Sequence, residues 1–184
     1  MFNSELWQKP TAAGAAAFYD YQIANSYRSM TGVGYFARTP SSAGNRRTFT
    51  FSTWIKKVKN GAQQCFFSAG GGWSDFEFDS SDRLHGHLVN GATSLLTNRV
   101  FRDPSAWYHF VVIMDTTQGT ADDRCKIYIN GERITDWSTD PASTISQNYD
   151  WDFNNSVKHA IGYEHSGRRY FAGYLADTYM VDGT

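Results

Sequence analysis

The amino-acid sequence predicts an all-β chain: a two-sheet antiparallel β-sandwich of the jelly-roll type, preceded by an irregular N-terminal arm. Three observations carry that prediction. Roughly ten strand-like runs recur at intervals of about 8–12 residues with turn material between them, the spacing of two packed antiparallel sheets. Aromatic residues reach 16%, with 13 Phe, 11 Tyr and 6 Trp, and 16 Gly stand against 4 Pro, a composition suited to short strands and tight turns. No stretch of useful length repeats its apolar residues at the helical period. At 184 residues the chain can bury roughly 70% of its unfolded surface, so neither metal nor disulfide is needed for a core.

Residues 1–17 are polar and then small (KPTAAGAAA), which makes residues 1–30 an arm with an entry strand around IANSYRS, and 31–184 the sandwich. SSAGNRR (41–47) is a loop. TFTFSTWIKKV (48–58) alternates, with Phe49, Phe51, Thr53 and Ile55 on one face and Thr50, Ser52 and Trp54 on the other. QQCFFSAGGG (63–72) is a short strand ending in glycines, and DFEFD (75–79) and LHGHLV (84–89) alternate again. WYHFVVIMD (107–115) is nearly continuous apolar text, the pattern of a strand covered on both faces. KIYINGERITDW (126–137) is a hairpin: Asn130-Gly131 tolerates the two positive φ angles of a type I′ turn, and Glu132 to Trp137 continue extended. A polar stretch at 138–156 leads to KHAIGY (158–163) and the closing run YFAGYLADTYMVD (170–182).

Lys and Arg total 17 against 18 Asp and Glu, a formal charge of −1, which argues against nucleic-acid binding. Cys65 and Cys125 form no CxxC pair, so a structural zinc is not expected; they read as buried free thiols, with a single disulfide left open. MFNSELWQKP has neither the basic nor the apolar region of a signal peptide. No apolar run approaches the ~20 residues of a membrane span.

TFTFSTWIKK, WYHFVVIMD, CKIYINGERI and AIGY…YFAGYLADTYMVDG together resemble the laminin-G-like members of the concanavalin A-like lectin/glucanase superfamily. The matching residues are Trp54, Trp107-Tyr108-His109, Tyr128 to Gly131, Ile161-Gly162 and Phe171 to Ala176, in the family's order over residues 48–182. IANSYRS, YFARTPSSAGNRRTFTFSTWIKK and DTTQGTADDRCKIYINGERIT further resemble such domains in tail and other virion proteins of bacteriophages. That resemblance implies a non-enzymatic structural or adhesion module on the surface of a phage particle. Its partners would be other virion proteins or bacterial surface polysaccharide, and it would assemble as a homo-oligomer, with a trimer favoured. The arm residues Phe2, Leu6 and Trp7 would dock it into the particle.

The alternatives are a polysaccharide hydrolase of the same superfamily and an architectural sandwich with no ligand. Glucanases of the superfamily carry alternating carboxylates on one strand, and FEFDSSD (76–82) offers Glu77 and Asp79, with Asp82 third. The plainer reading is solvated carboxylates on an exposed strand face. The resemblance also implies Ca²⁺ held by loop carboxylates, with Asp75, Asp79 and Asp82, or Asp115 with Asp122 and Asp123, as candidates; no other cofactor is indicated. His85 and His87 are two apart and would project to one face, either as metal ligands lacking a third partner or as polar residues on the wet side. For sugar recognition, Trp73 follows three glycines at a loop tip, and Trp137, Asn148, Tyr149, Asp150 and Trp151 fall in or beside the polar stretch. Such aromatic, Asn- and Asp-rich loops suit adaptable recognition, or cover the sandwich.

Overall fold

Strand alternation decides which layer each residue joins. The computed structural model describes residues 23–29, 34–70, 74–89, 92–164 and 167–183. The described residues form thirteen strands: β1 (Tyr27–Ser29), β2 (Phe36–Arg38), β3 (Thr48–Lys57), β4 (Gln64–Ala69), β5 (Ser74–Phe78), β6 (Arg83–Val89), β7 (Ala92–Val100), β8 (Tyr108–Asp115), β9 (Cys125–Ile129), β10 (Glu132–Arg133), β11 (Trp137–Thr139), β12 (His159–Ile161) and β13 (Gly173–Asp182). One antiparallel sheet has the order β1-β13-β3-β8-β9-β10 and the other β11-β7-β6-β5-β4-β12-β2. The fold is the all-β two-sheet sandwich that the sequence predicts. The arm residues Phe2, Leu6 and Trp7 lie outside the described residues, as does Trp73.

In β3 the alternation is complete: Phe49, Phe51, Thr53, Ile55 and Lys57 are buried, and the residues between them are half-buried. Facing them are Phe66, Phe67, Phe76 and Phe78 of the other sheet. A register shift between Cys65 and Phe67 lets β4 turn two consecutive phenylalanines inward, and Phe67 stacks on Phe51 across the layers at 4.2 Å. Trp151, Phe153, Phe101 and Phe171 fill the ends. At Gly173 a Cβ would lie 2.1 Å from the Lys56 carbonyl, so this position on β13 admits only glycine.

Two expectations about coverage are reversed. β8, the most apolar text, is half-exposed on alternate residues, because nothing among the described residues covers that face. β4 and the charged β5 are buried on both faces. The hairpin turn is as expected, with Asn130 at φ 53 and Gly131 at φ 82. Its second strand is only two residues long, however, and the chain then crosses to the other sheet, where Trp137 pairs with Thr97.

One polar network lies inside the sandwich. Lys57 Nζ is 2.7 Å from Asp82 Oδ1 and donates to the Phe101 carbonyl at 3.0 Å, with the Phe78 ring centroid 4.4 Å away. Burial takes the Lys57 ammonium below its ordinary value. At Asp82 burial opposes ionisation, but Lys57, the Gly61 N–H and Arg102 outweigh it and hold the carboxyl below its ordinary range.

Candidate functional site

The β5–β6 turn sets the chemistry on the outer face of the seven-stranded sheet. Asp79 Oδ1 accepts from the N–H groups of Ser81 and Arg83, both at 2.9 Å, and Asp82 adopts φ 62. The resulting register sets Glu77 opposite His85 and Asp75 opposite His87. Phe76 and Phe78 take the core side, so Asp75 and Glu77 point outward by the two-residue period of a strand. Both are nonetheless fully buried. The segment after β12 crosses this face, anchored by the Cys65 N–H to the Arg169 carbonyl at 3.0 Å and by Ser68 Oγ to the Tyr163 carbonyl at 3.0 Å.

Arg169 closes the row. Its Nη1 is 2.6 Å from Glu77 Oε2 and its Nη2 is 2.8 Å from Asp75 Oδ2. The opposite oxygens face imidazoles: Glu77 Oε1 is 3.1 Å from His85 Nδ1, and Asp75 Oδ1 is 3.0 Å from His87 Nδ1. Burial works against the guanidinium charge, and Asp75 and Glu77 outweigh it, raising Arg169 above its ordinary value. The same surroundings push the Cys65 thiol far up, through burial first and the two carboxylates second, which leaves it inert as a nucleophile. Glu77, His85 and His87 each present a ligand atom within 4.8 Å of the others.

Beside this row lies an aromatic ledge. Tyr35, 46% exposed, packs on Tyr163 at 4.1 Å with the rings tilted by 34°, and Tyr163 stacks on Tyr170 at 5.5 Å. The Lys158 ammonium, bonded to the Tyr163 hydroxyl, sits 5.7 Å from the Tyr35 ring centroid and 5.0 Å from that of Tyr163. Sequence reasoning missed Tyr35, Tyr163, Tyr170 and Arg169, because the first meets the others only through tertiary pairing. The Glu77–His85 and Asp75–His87 pairs did leave a signal. DFEFD and RLHGH flank a three-residue turn, and aligning them as a hairpin gives the observed register.

The sequence-derived candidates are dispersed. Trp151 is fully buried beneath Tyr149, with ring centroids 4.8 Å apart, so it belongs to the core rather than to a sugar-contacting surface. Trp137 and Tyr149 are partly buried and pack on that core, while Asn148 and Asp150 are exposed. The polar stretch that contains Asn148, Tyr149, Asp150 and Trp151 clasps the sandwich. The Trp151 N–H donates to the Arg46 carbonyl at 3.0 Å, Arg46 Nε to the Trp151 carbonyl at 2.7 Å, and Arg47 Nε to Asp150 Oδ1 at 2.8 Å.

Glu77 and Asp79 do not form the expected solvated face: Glu77 is held by Arg169, and Asp79, beyond the end of β5, by Arg83 at 2.8 Å. Asp75, Asp79 and Asp82 each meet a different cation, Arg169, Arg83 and Lys57, and do not converge on one point. Asp115 accepts from Thr117 and Gln118, and Asp123 pairs with Lys126, so that trio is also separate. Cys65 and Cys125 are free and buried. His109 bonds Ser52 Oγ at 2.9 Å and stacks on Trp54.

The profile of the concanavalin A-like lectin/glucanases superfamily matches residues 31–184. The chain belongs to that superfamily. Solved structures agree on the fold of this concanavalin A-like domain. A heptameric SAP-like pentraxin from Limulus polyphemus is similar over 79% of this chain and 68% of its own, at 16% identity and TM-score 0.51. Domain 4 of AbnA, a GH43 extracellular arabinanase from Geobacillus stearothermophilus in complex with arabinotriose, is similar over 78% and 63%, at 17% identity and TM-score 0.52. Mouse laminin α1 domains LG4-5 are similar over 84% and 40%, at 12% identity and TM-score 0.52. Comparison with curated proteins gives no match. The domain is thus of the concanavalin A-like lectin/glucanase type. Among the described residues no helix is long and apolar enough to cross a membrane.

Proposed function

We infer that the chain is a non-catalytic carbohydrate-binding module whose ligand surface is the ledge of Tyr35, Tyr163 and Tyr170 with Lys158. The carrying observation is the exposed Tyr35 ring, packed from behind on Tyr163 and flanked by an ammonium. A sugar ring offers an apolar C–H face to such a tyrosine, and its hydroxyls accept from the cation. The AbnA domain bound to arabinotriose supports the reading at the level of fold. Against catalysis stands the hydrogen bonding of the carboxylate row: each oxygen of Asp75 and Glu77 faces a donor within 3.1 Å, and both side chains are buried, leaving no acid poised over an open subsite. The likeness of IANSYRS, YFARTPSSAGNRRTFTF and DTTQGTADDRCKIYINGERIT to phage virion domains supports a setting on a particle surface, oligomeric and facing bacterial polysaccharide.

The test is binding of the labelled chain to a panel of bacterial surface polysaccharides, alongside Tyr35→Ala and Glu77→Gln. Selective binding that Tyr35→Ala abolishes, with the thermal midpoint kept, supports the reading. Binding to nothing on the panel overturns it in favour of an architectural sandwich. Release of reducing sugar that Glu77→Gln abolishes overturns it in favour of a hydrolase.

A further inference from the structure

The β5–β6 hairpin carries an arrangement that sugar binding does not use. Three buried carboxylates, Asp75, Glu77 and Glu164, gather about one guanidinium, Arg169, with Arg169 Nη2 3.9 Å from Glu164 Oε1. Carboxylates shielded from water in this way are costly unless cations or hydrogen-bond donors face them. Among the described residues, the two imidazoles face the oxygens of Glu77 and Asp75 opposite those that Arg169 holds. His85 Nδ1 lies 3.1 Å and His87 Nδ1 3.9 Å from the same atom, Glu77 Oε1. Both rings are partly accessible, with 12% of each side chain exposed, so an ion can reach them from solvent.

We propose that Glu77 Oε1, His85 and His87 form a binding site for a divalent first-row transition metal of the zinc class. Two imidazole nitrogens and one carboxylate oxygen are the donor set that such an ion takes, and a hard, oxygen-seeking ion such as Ca²⁺ is disfavoured. Ligands about 2.0–2.1 Å from a tetrahedral zinc stand roughly 3.3 Å apart. The His85–Glu77 separation of 3.1 Å already matches that edge, and His87 Nδ1, 3.9 Å from Glu77 Oε1, exchanges its 3.0 Å contact with Asp75 Oδ1 for the ion. The groups that orient the ligands are also in place. Arg169 holds Glu77 Oε2, so the oxygen that turns to the ion is Oε1, which faces His85 Nδ1 in the metal-free chain. His85 Nε2 meets Thr93 Oγ1 at 2.9 Å, which fixes the ring with Nδ1 toward the site. The hairpin register, rather than sequence spacing, supplies the third ligand.

The experiment uses the full chain stripped with chelator, titrated calorimetrically with zinc chloride, and with cobalt chloride followed by visible absorption. The expected result is one ion per chain with micromolar affinity. The cobalt spectrum should show tetrahedral d–d bands and no thiolate charge-transfer band. Excess calcium should not compete. Thr93→Val, which keeps every ligand, should weaken zinc about 10–100-fold, as loss of a ligand-orienting hydrogen bond does, and His85→Gln with His87→Gln should weaken it further. Far-ultraviolet dichroism shows that each variant is folded; should the double variant not fold, Thr93→Val and the cobalt spectrum decide. Absence of one-to-one zinc binding overturns the site, and so does binding that these substitutions leave unchanged or a thiolate band that moves the ion to Cys65. Sugar binding is scored separately, so loss of the metal site leaves the reading of the tyrosine ledge standing.

Discussion

Replacing Asp82 by asparagine removes one charge with almost no change of volume, at a residue whose φ of 62 asparagine tolerates. It leaves the Lys57 ammonium, whose side chain is 1% exposed, with only neutral acceptors. Breaking a buried pair in this way costs about 3–5 kcal/mol. Lys57 can escape by releasing its proton, and that escape sets a ceiling. From an ordinary lysine value of about 10.4, neutralisation costs roughly 4.6 kcal/mol at pH 7 and roughly 1.9 at pH 9. Asp82→Asn should therefore lose about 3–4.6 kcal/mol at pH 7, and clearly less at pH 9, because the unfolded chain binds the extra proton and stability rises as it is given up. Urea denaturation followed by tryptophan fluorescence at both pH values reads this directly, as a midpoint about 1–2 M lower at pH 7. Adding Lys57→Met should restore most of the loss, since an apolar replacement of the whole pair is close to neutral. A penalty below about 1 kcal/mol, or one equal at both pH values, would refute the confinement of Lys57 described above. In the unaltered protein the sign at Asp82 is the reverse. Its contribution is complete above the ordinary carboxyl value of about 3.9 and is lost as pH falls through the lowered folded value.

Two further outcomes follow from the same geometry. Neither thiol should react with Ellman's reagent in the folded chain and both should in denaturant, because burial holds Cys65 far up and pushes Cys125 up to about 12; a thiol that titrates natively would contradict this. Asn130→Ala places a Cβ-bearing residue without a capping amide at φ 53 and removes the acceptor for the His109 N–H at 2.7 Å; a loss of about 1–2 kcal/mol is expected in thermal unfolding, and no loss would mean the turn is not held as type I′.

The layer architecture was legible because period-two alternation in TFTFSTWIKK is enforced by burial, and because Asn-Gly has one favoured use between strands. Coverage was not legible. WYHFVVIMD looked doubly buried and DFEFD looked wet, yet a loop carrying Arg169 shields the second and nothing described shields the first. A charge is buried wherever its partner arrives, and the partner of Glu77 lies 92 residues along the chain. The same limit explains Trp151: alternation with Asp150 in the clasp, rather than composition of the loop, decides that it turns inward.

The four strands that end the two sheets are β1, β10, β11 and β2, of three, two, three and three residues. None offers a length of free backbone N–H and C=O groups on which a foreign strand could register. At these four strands, growth by strand addition, whether into aggregates or onto an extended peptide, has little backbone to start from. A partner that meets the domain at these strands reads it through side chains, which makes recognition there a matter of composition at single positions.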